Sequence, residues 1–525
     1  MTARVLVLAI DAGSAPLLQR WATEGVLPTM RTLLTRGLAG STESVAGFFV
    51  GSTWPSFYTG ASPAEHGLHS LVQLLPGTYQ LDRVLGTGLP AREPFWCHLG
   101  RAGRRVAILD VPLSPVTAGL NGIQMVEWGS HDATGGFRTW PRELARQVRT
   151  RFGVHPLTES CDVDHRSPAQ FVELTRRLVA GVRAKTALTR HYLAHDDWDL
   201  FVQVFTEAHC AGHQAWHLHD PTHPGWDDTA VAVTGDPLRE VYVAIDSALG
   251  EILGDVGRDT LVLILASHGM AHRVGAQFLL RDVLVRLGAA APPLSGEPSR
   301  TTIATALTRA WAHTPEMLRQ PVRGARARVR HWRDSRAWPR PLPPEAANGD
   351  CFVVDNGLLV GGIRLNLAGR EPRGRLAAAA VPEFTLQLER DLLGVFDTDF
   401  ERPIVQRVVS TDALYTGACH ERLPDVMVEW SHDRPLGSAT IGAGRGARLR
   451  LASSRIGTLE GVNSYCRSGD HRREGLFVAM GPGLEPGRLA EPVSIMDFAP
   501  TLARRLGVEL PAAAGHPIAP LLARA

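Results

Sequence analysis

Lysine is almost missing from this chain: Lys185 is the single example in 525 residues, and arginine supplies nearly all the positive charge. Net charge is only about +2, so no global basic field argues for a nucleic-acid polymer or an anionic membrane as partner. Cysteines are few and scattered. Cys97, Cys161, Cys210, Cys351, Cys419 and Cys466 form no CxxC pair, which suits free thiols in a reducing compartment rather than a disulfide framework. Long apolar runs are lacking too. Val5–Ile10 is followed at once by Asp11, too short for a signal-peptide core, and no later run approaches the roughly 20 residues of a membrane span. The expectation is a cytoplasmic protein that does not cross a membrane. There is no internal repeat and no coiled-coil heptad pattern.

What is present is an ordinary globular composition, 44% hydrophobic and 21% charged, in a chain longer than one core usually serves. Arg4–Ile10 (RVLVLAI), Arg105–Asp110 (RVAILD), Asp197–Phe205 (DWDLFVQVF) and Thr260–Ala266 (TLVLILA) are apolar runs without alternation, the mark of strands buried on both faces. Helical patterns lie between them: Pro16–Arg36, interrupted at Pro28, and Pro237–Leu253, which Asp236 is placed to cap. This rhythm predicts an α/β fold with a doubly wound, mostly parallel sheet. Around residue 276 the texture changes. Ala290–Pro343 is rich in Ala, Arg and Pro, and Cys351–Leu367 reads as two β-like runs about a turn. The predicted division is a core of residues 1–275 and 411–525, resuming at Pro424–Trp430 (PDVMVEW) and Gly475–Met480, with residues 276–410 inserted as a smaller cap.

The stretch Gly51–Gly67 (GSTWPSFYTGASPAEHG) places a threonine just ahead of a helix start. Thr53 reads either as the N-cap of that helix, with Pro55 near its first position, or as a hydroxyl nucleophile set where backbone N–H groups favour an anion.

Four segments at predicted strand ends carry metal-binding types: Asp11; Thr206–His213 (TEAHCAGH); Ser267-His268-Gly269-Met270; and Gly469-Asp470-His471. His209 and His213 are four apart, so on a helix both rings face one way, as a zinc site requires. Singly, each segment has a plain structural alternative: a chance pair among 21 histidines, a hydrogen-bonded loop histidine, a turn-capping aspartate. Jointly, imidazoles and a carboxylate recur at strand ends that a parallel sheet brings to one edge.

In order, these motifs resemble the type I phosphodiesterase/nucleotide pyrophosphatase branch of the alkaline phosphatase superfamily. The matching features are Asp11-Ala12-Gly13, the EGVLPTMRTLLTRG helix, Thr53-Trp54-Pro55 with TGASPAEHG, the HxxxH-like loop, Ser267-His268-Gly269-Met270, Asp470-His471-x-x-Glu474-Gly475 and the tail VSIMDFAPTLARRLGVELP. The resemblance implies a metal-dependent hydrolase of phosphodiesters, nucleotide pyrophosphates or phosphomonoesters. Its substrate would be a small anionic molecule. One metal, usually zinc, would be bound by His209, His213 and His471; a second by Asp11, Thr53, Ser267 and His268. Thr53 would attack phosphorus to give a phosphothreonine-type intermediate.

Two departures stand out. The family normally has Asp where this chain has His209, and Asp-His where it has Ser267-His268. Each removes a carboxylate, leaving one or two ions to be held, with Zn2+ expected and Mn2+ or Fe as substitutes. Glu207 is a candidate to compensate if the backbone around it is extended; its alternative is a salt bridge to an arginine. Arg364, Asn366 and Arg370 in the insertion suit substrate oxygens, or else a structural turn. Trp216, His217 and His219 read as pocket lining or as packing. The alternatives to hydrolysis are a mononuclear zinc enzyme or group transferase on the same scaffold, and a non-catalytic member.

Overall fold

The computed structural model describes residues 4–83, 90–129, 136–157, 163, 166–294, 338–441 and 444–522. Cys161 and most of the Ala290–Pro343 stretch lie outside the described residues.

The buried apolar runs form the middle of one mixed sheet. Its strands lie in the order Gly487–Arg488, Leu38–Glu43, Glu474–Met480, Leu261–Ala266, Val5–Ile10, Leu200–Phe205, Val106–Leu109, Gly122–Val126 and Arg138–Trp140. From Leu261–Ala266 to Gly122–Val126 the pairing is parallel, while Glu474–Met480 runs antiparallel to both neighbours and Arg138–Trp140 is an antiparallel edge. Every residue of Val5–Ile10, Leu200–Phe205 and Leu261–Ala266 is buried, because helices cover both sheet faces. Ala15–Thr23, Pro28–Arg36, Pro168–His195, Glu207–Ala215 and Pro237–Gly254 share one apolar core. Thr53–Thr59, Phe95–Arg101 and Phe498–Arg505 share the other. The sheet is therefore wound on both sides, as the sequence predicts.

Register sets the functional edge. Ile10 lies opposite both Phe205 and Ala266, so Asp11, Thr206 and Ser267 leave the sheet side by side. The Asp11 N–H donates to Phe205 O at 2.9 Å, holding that turn against its neighbour.

The chain between the fourth core strand and the return builds a second body of structure. Cys351–Val354 pairs antiparallel with Val360–Leu365, as the two β-like runs anticipated. Val426–Trp430, expected to rejoin the main sheet, pairs instead with Val360–Leu365 and Val405–Ser410. Another small sheet contains Phe396–Asp397, Arg448–Ser453 and Gly457–Val462. A separate apolar cluster running from Ala276 to Leu459 fills this region. The chain rejoins the main sheet at Glu474–Met480. A buried strand pattern carries no label for its partner, which is why PDVMVEW misled.

Candidate active site

Leu200–Phe205 ends at the sheet edge, and Glu207–Ala215 turns at once into a helix. Residues four apart on a helix share a face, so His209 and His213 point the same way. His471 approaches them from Gly469–Arg472, which pairs antiparallel with Gly269–His272. The three Nε2 atoms close a triangle: 3.2 Å between His209 and His213, 3.1 Å between His213 and His471, and 2.9 Å between His471 and His209. All three residues are buried.

The approach needs missing side chains. A Cβ on Gly469 would fall 2.2 Å from Gly212 O, and one on Gly212 would fall 2.6 Å from Met270 Cγ. His213 Nδ1 lies 2.9 Å from Gly469 O. A carbonyl only accepts, so Nδ1 carries the proton and Nε2 presents its lone pair to the triangle. In a tetrahedral zinc site with bonds of about 2.0–2.1 Å, donor atoms are about 3.3 Å apart. The three imidazoles therefore fit one such cation and leave a fourth position open. Among the described residues they are the one group of three or more His, Cys, Asp or Glu whose donor atoms lie within 4.8 Å of one another.

The other candidates gather beside this triangle without forming a comparable cage. The His268 ring meets that of His471 edge-on at 4.6 Å, and Ser267 Oγ lies 3.0 Å from His268 Nδ1. Asp11 Oδ1 accepts the Trp54 indole N–H at 2.7 Å. Thr53 is the first residue of its helix, not its cap, which is Ser52; Pro55 is the third. The Thr53 hydroxyl donates to Phe49 O at 2.7 Å and lies 2.5 Å from Ser44 Oγ. Because its one proton is committed to Phe49, Ser44 is the donor in that second bond. The Ser44 N–H donates to Arg473 O at 3.0 Å, two residues beyond His471. Thr53 is thus tied to the strand that delivers the third imidazole.

Glu207 departs from expectation. The helix begins at Glu207 itself, so two positions on, His209 faces a different side. Glu207 Oε1 lies 2.9 Å from His155 Nε2 and 3.6 Å from Lys185 Nζ, which is also 3.6 Å from Asp110 Oδ2. Lys185 donates to Val204 O at 3.0 Å and to Thr206 Oγ1 at 2.9 Å. Burial by itself would raise the Glu207 carboxyl, but the Lys185 charge and the His155 hydrogen bond outweigh it and hold the group below its ordinary value. The partner is the chain's one lysine and a histidine, neither the triangle nor an arginine.

The insertion residues are also claimed internally. Arg370 grips Asp425 with both terminal nitrogens at 2.6 and 2.7 Å, Arg364 Nε meets Glu371 at 2.9 Å, and Asn366 donates to Ala347 O and Gly349 O while accepting from the Tyr79 hydroxyl. Their expected substrate contacts give way to holding the insertion together. His219 is held by Asp236 at 2.7 Å and packs edge-on against Trp216, whereas His217 is buried beside Phe171.

Ser44, Lys185 and Arg467, whose Nη1 lies 3.1 Å from His213 Nε2, escaped the sequence reading, and Asp470 was read only as part of a motif. Asp470 stands in the Gly-Asp-His motif, where its Oδ1 lies 3.9 Å from His213 Nδ1, so adjacency was a usable signal. Ser44 meets Thr53 across nine residues and Lys185 meets Thr206 across 21, with no periodic signal to join them, whereas Arg467 meets His213 across 254.

The sequence profile of "Type I phosphodiesterase / nucleotide pyrophosphatase" matches residues 5–433. No curated protein sequence matches the chain. Among solved structures, it is similar to phosphonoacetate hydrolase from Sinorhizobium meliloti 1021 in complex with phosphonoacetate, at 14% identity and a TM-score of 0.50, covering 95% of this chain and 94% of that one. It is similar to wild-type alkaline phosphatase PafA at 12% identity and a TM-score of 0.50, covering 99% and 98%. At such identities the likeness speaks of the fold.

Proposed function

Because the chain belongs to the type I phosphodiesterase/nucleotide pyrophosphatase family of the alkaline phosphatase superfamily, we propose that it cleaves a small phosphoester or related phosphoryl substrate with Thr53 as nucleophile beside a cation held by His209, His213 and His471. The observation that carries this reading is the triangle of Nε2 atoms 2.9–3.2 Å apart, with Thr53 linked through Ser44 to Arg473, two residues past His471. An all-imidazole set suits zinc better than magnesium or calcium. Zinc bound there supplies a Lewis acid that stabilises charge building on the phosphoryl oxygens and lowers the pKa of a bound hydroxyl or water.

The protein's own residues do the rest. Thr53 Oγ1 rests with its proton on Phe49 O and must leave that bond to attack phosphorus. The Ser44 hydroxyl, already a donor to the same oxygen, stays in place to stabilise the alkoxide as the proton passes to solvent water. The new Thr53 O–P bond forms as the leaving-group oxygen separates, and water then cleaves that bond and restores the hydroxyl. Trp54 fixes one Asp11 oxygen and so orients the carboxylate beside the nucleophile.

With His209 and Ser267 standing where the family has carboxylates, the second cation position keeps Asp11 and His268 as its strong donors. One firmly held ion is therefore the favoured state. Thr53→Ala abolishes turnover of bis-p-nitrophenyl phosphate by the zinc-loaded protein while leaving its thermal midpoint unchanged. Full activity in that variant removes Thr53 from the chemistry.

A further inference from the structure

The acceptor for the Thr53 proton is a backbone carbonyl, Phe49 O, and Phe49 lies in residues 44–52, which form neither helix nor strand. No ladder of regular hydrogen bonds fixes such a segment, so its position depends on what the surroundings bond to it. Within the segment, the Phe48 N–H reaches Val45 O at 3.3 Å and the Ser52 N–H reaches Phe48 O at 2.9 Å. Two further bonds come from side chains of the inserted region. Asn356 lies between Cys351–Val354 and Val360–Leu365, and Tyr415 between Val405–Ser410 and Val426–Trp430, on two connections of one four-stranded sheet.

Asn356 Nδ2 donates to Gly47 O at 2.8 Å, and the Tyr415 hydroxyl donates to Ala46 O at 2.8 Å. The two anchored carbonyls are consecutive. Asn356 is buried, and its Oδ1 has no hydrogen-bond partner among the described residues. A carbonyl only accepts, so the amide turns its NH2 to Gly47 and leaves its oxygen unmatched. An unmatched buried oxygen carries a cost that an apolar side chain avoids, which sets Asn356 apart from ordinary packing. Burial raises the Tyr415 phenol above its ordinary pKa, so it remains a donor.

Apolar contacts close the same seam. Val45, Phe48 and Phe49 share one buried cluster with Leu359, Val360, Leu423 and Met427 of the inserted region. The Phe48 ring lies 5.7 Å from that of Tyr415. Gly47 has a φ of 71°, and a Cβ there would overlap Met427 Sδ. Beside Asn356, the Asp355 carboxylate accepts the Ser70 hydroxyl, and a Cβ on Gly357 would lie 3.0 Å from the Val50 side chain.

We infer that Asn356 and Tyr415 are positioning residues for the reaction. Reaching over from the inserted sheet, they clamp the carbonyls of Ala46 and Gly47, and through them the Phe49 carbonyl that aims the Thr53 hydroxyl. Both act through Thr53 and not on substrate, so the inference rests on the reading of Thr53 as nucleophile. Alignment of the attacking atom is where such a clamp counts, because a misplacement of about 1 Å can cost on the order of a hundredfold in rate.

The test uses the full-length, zinc-loaded protein with Tyr415→Phe, which keeps the ring beside Phe48 and removes the hydroxyl, and with Asn356→Ala. Two readouts are paired: kcat and KM for bis-p-nitrophenyl phosphate, and amide hydrogen exchange followed by mass spectrometry. The expected result is a fall of about tenfold in kcat for each variant with KM little changed. Exchange in peptides covering residues 44–53 accelerates about three- to tenfold, while peptides covering Glu207–Ala215 keep the parent rate. Tyr415→Phe decides the question alone if Asn356→Ala fails to fold. An unchanged kcat, or exchange that rises along the whole chain or not at all in residues 44–53, overturns the positioning role. Thr53→Ala separates the two readings. If it keeps full activity, the nucleophile and the clamp's role fall together; if it is inactive while Tyr415→Phe is fully active, the clamp's role falls alone.

Discussion

Thr53 and Ser44 show how a single residue's hydrogen-bond valence decides a role. Both hydroxyls are buried, and Thr53 has one proton for two neighbours. Ser44→Ala deletes the donor that faces the developing alkoxide, so kcat for bis-p-nitrophenyl phosphate should fall by roughly ten- to a hundredfold with KM little changed. An unchanged kcat would leave Ser44 a packing residue. Lys185 argues in the same way about stability. It lies within 3.6 Å of two buried carboxylates, Asp110 and Glu207. Lys185→Met leaves those charges uncompensated, and the expected loss is about 3–5 kcal/mol by urea denaturation. A loss below about 1 kcal/mol would mean the carboxylates find other partners. The composition announced that this lysine was unusual but not where it was buried.

At the scale of elements, most of the fold was legible because its signals are local. The strands RVLVLAI and TLVLILA are buried along their whole length, and a helix begins at Pro237 with Asp236 accepting the Arg239 N–H at 3.1 Å. Asp236 also holds His219, so Asp236→Ala should cost about 1 kcal/mol or somewhat more in a urea titration. No change would show that the cap is redundant. The site was legible where spacing within one element sufficed, as with His209 and His213. It failed where one residue's backbone state mattered: Glu207 reads as a ligand on an extended chain and as a helix start turned toward Lys185 in fact. For Arg364 and Arg370 sequence left two alternatives, since arginine suits an internal carboxylate as well as a substrate one, and the structure pairs them with Glu371 and Asp425.

The whole molecule hides histidines as well as displaying them. His66, His69 and His217 are pushed down to about 3, and His223 to about 4, chiefly by burial. In His66, Nδ1 accepts the Leu68 N–H at 3.1 Å, so a second ring proton has no place. The unfolded chain binds protons near pH 6.5 and the folded chain does not until the depressed values. Stability is therefore full above about pH 6.5 and is lost as pH falls toward 4, by up to roughly 1.4 kcal/mol per pH unit for each such residue. Urea midpoints of the metal-free protein between pH 7.5 and 4 should drop accordingly, and a flat profile would contradict the burial of these rings. No described helix is long and apolar enough to cross a membrane.

The most direct single measurement is the metal content of the purified protein by mass spectrometry, beside His213→Ala and His471→Ala. The expected result is near one zinc per chain in the parent protein and near zero in both variants, with their circular dichroism unchanged. Zinc retained undiminished by folded variants, or no transition metal bound by the parent protein even after incubation with excess zinc, would contradict a metal centre built on His209, His213 and His471.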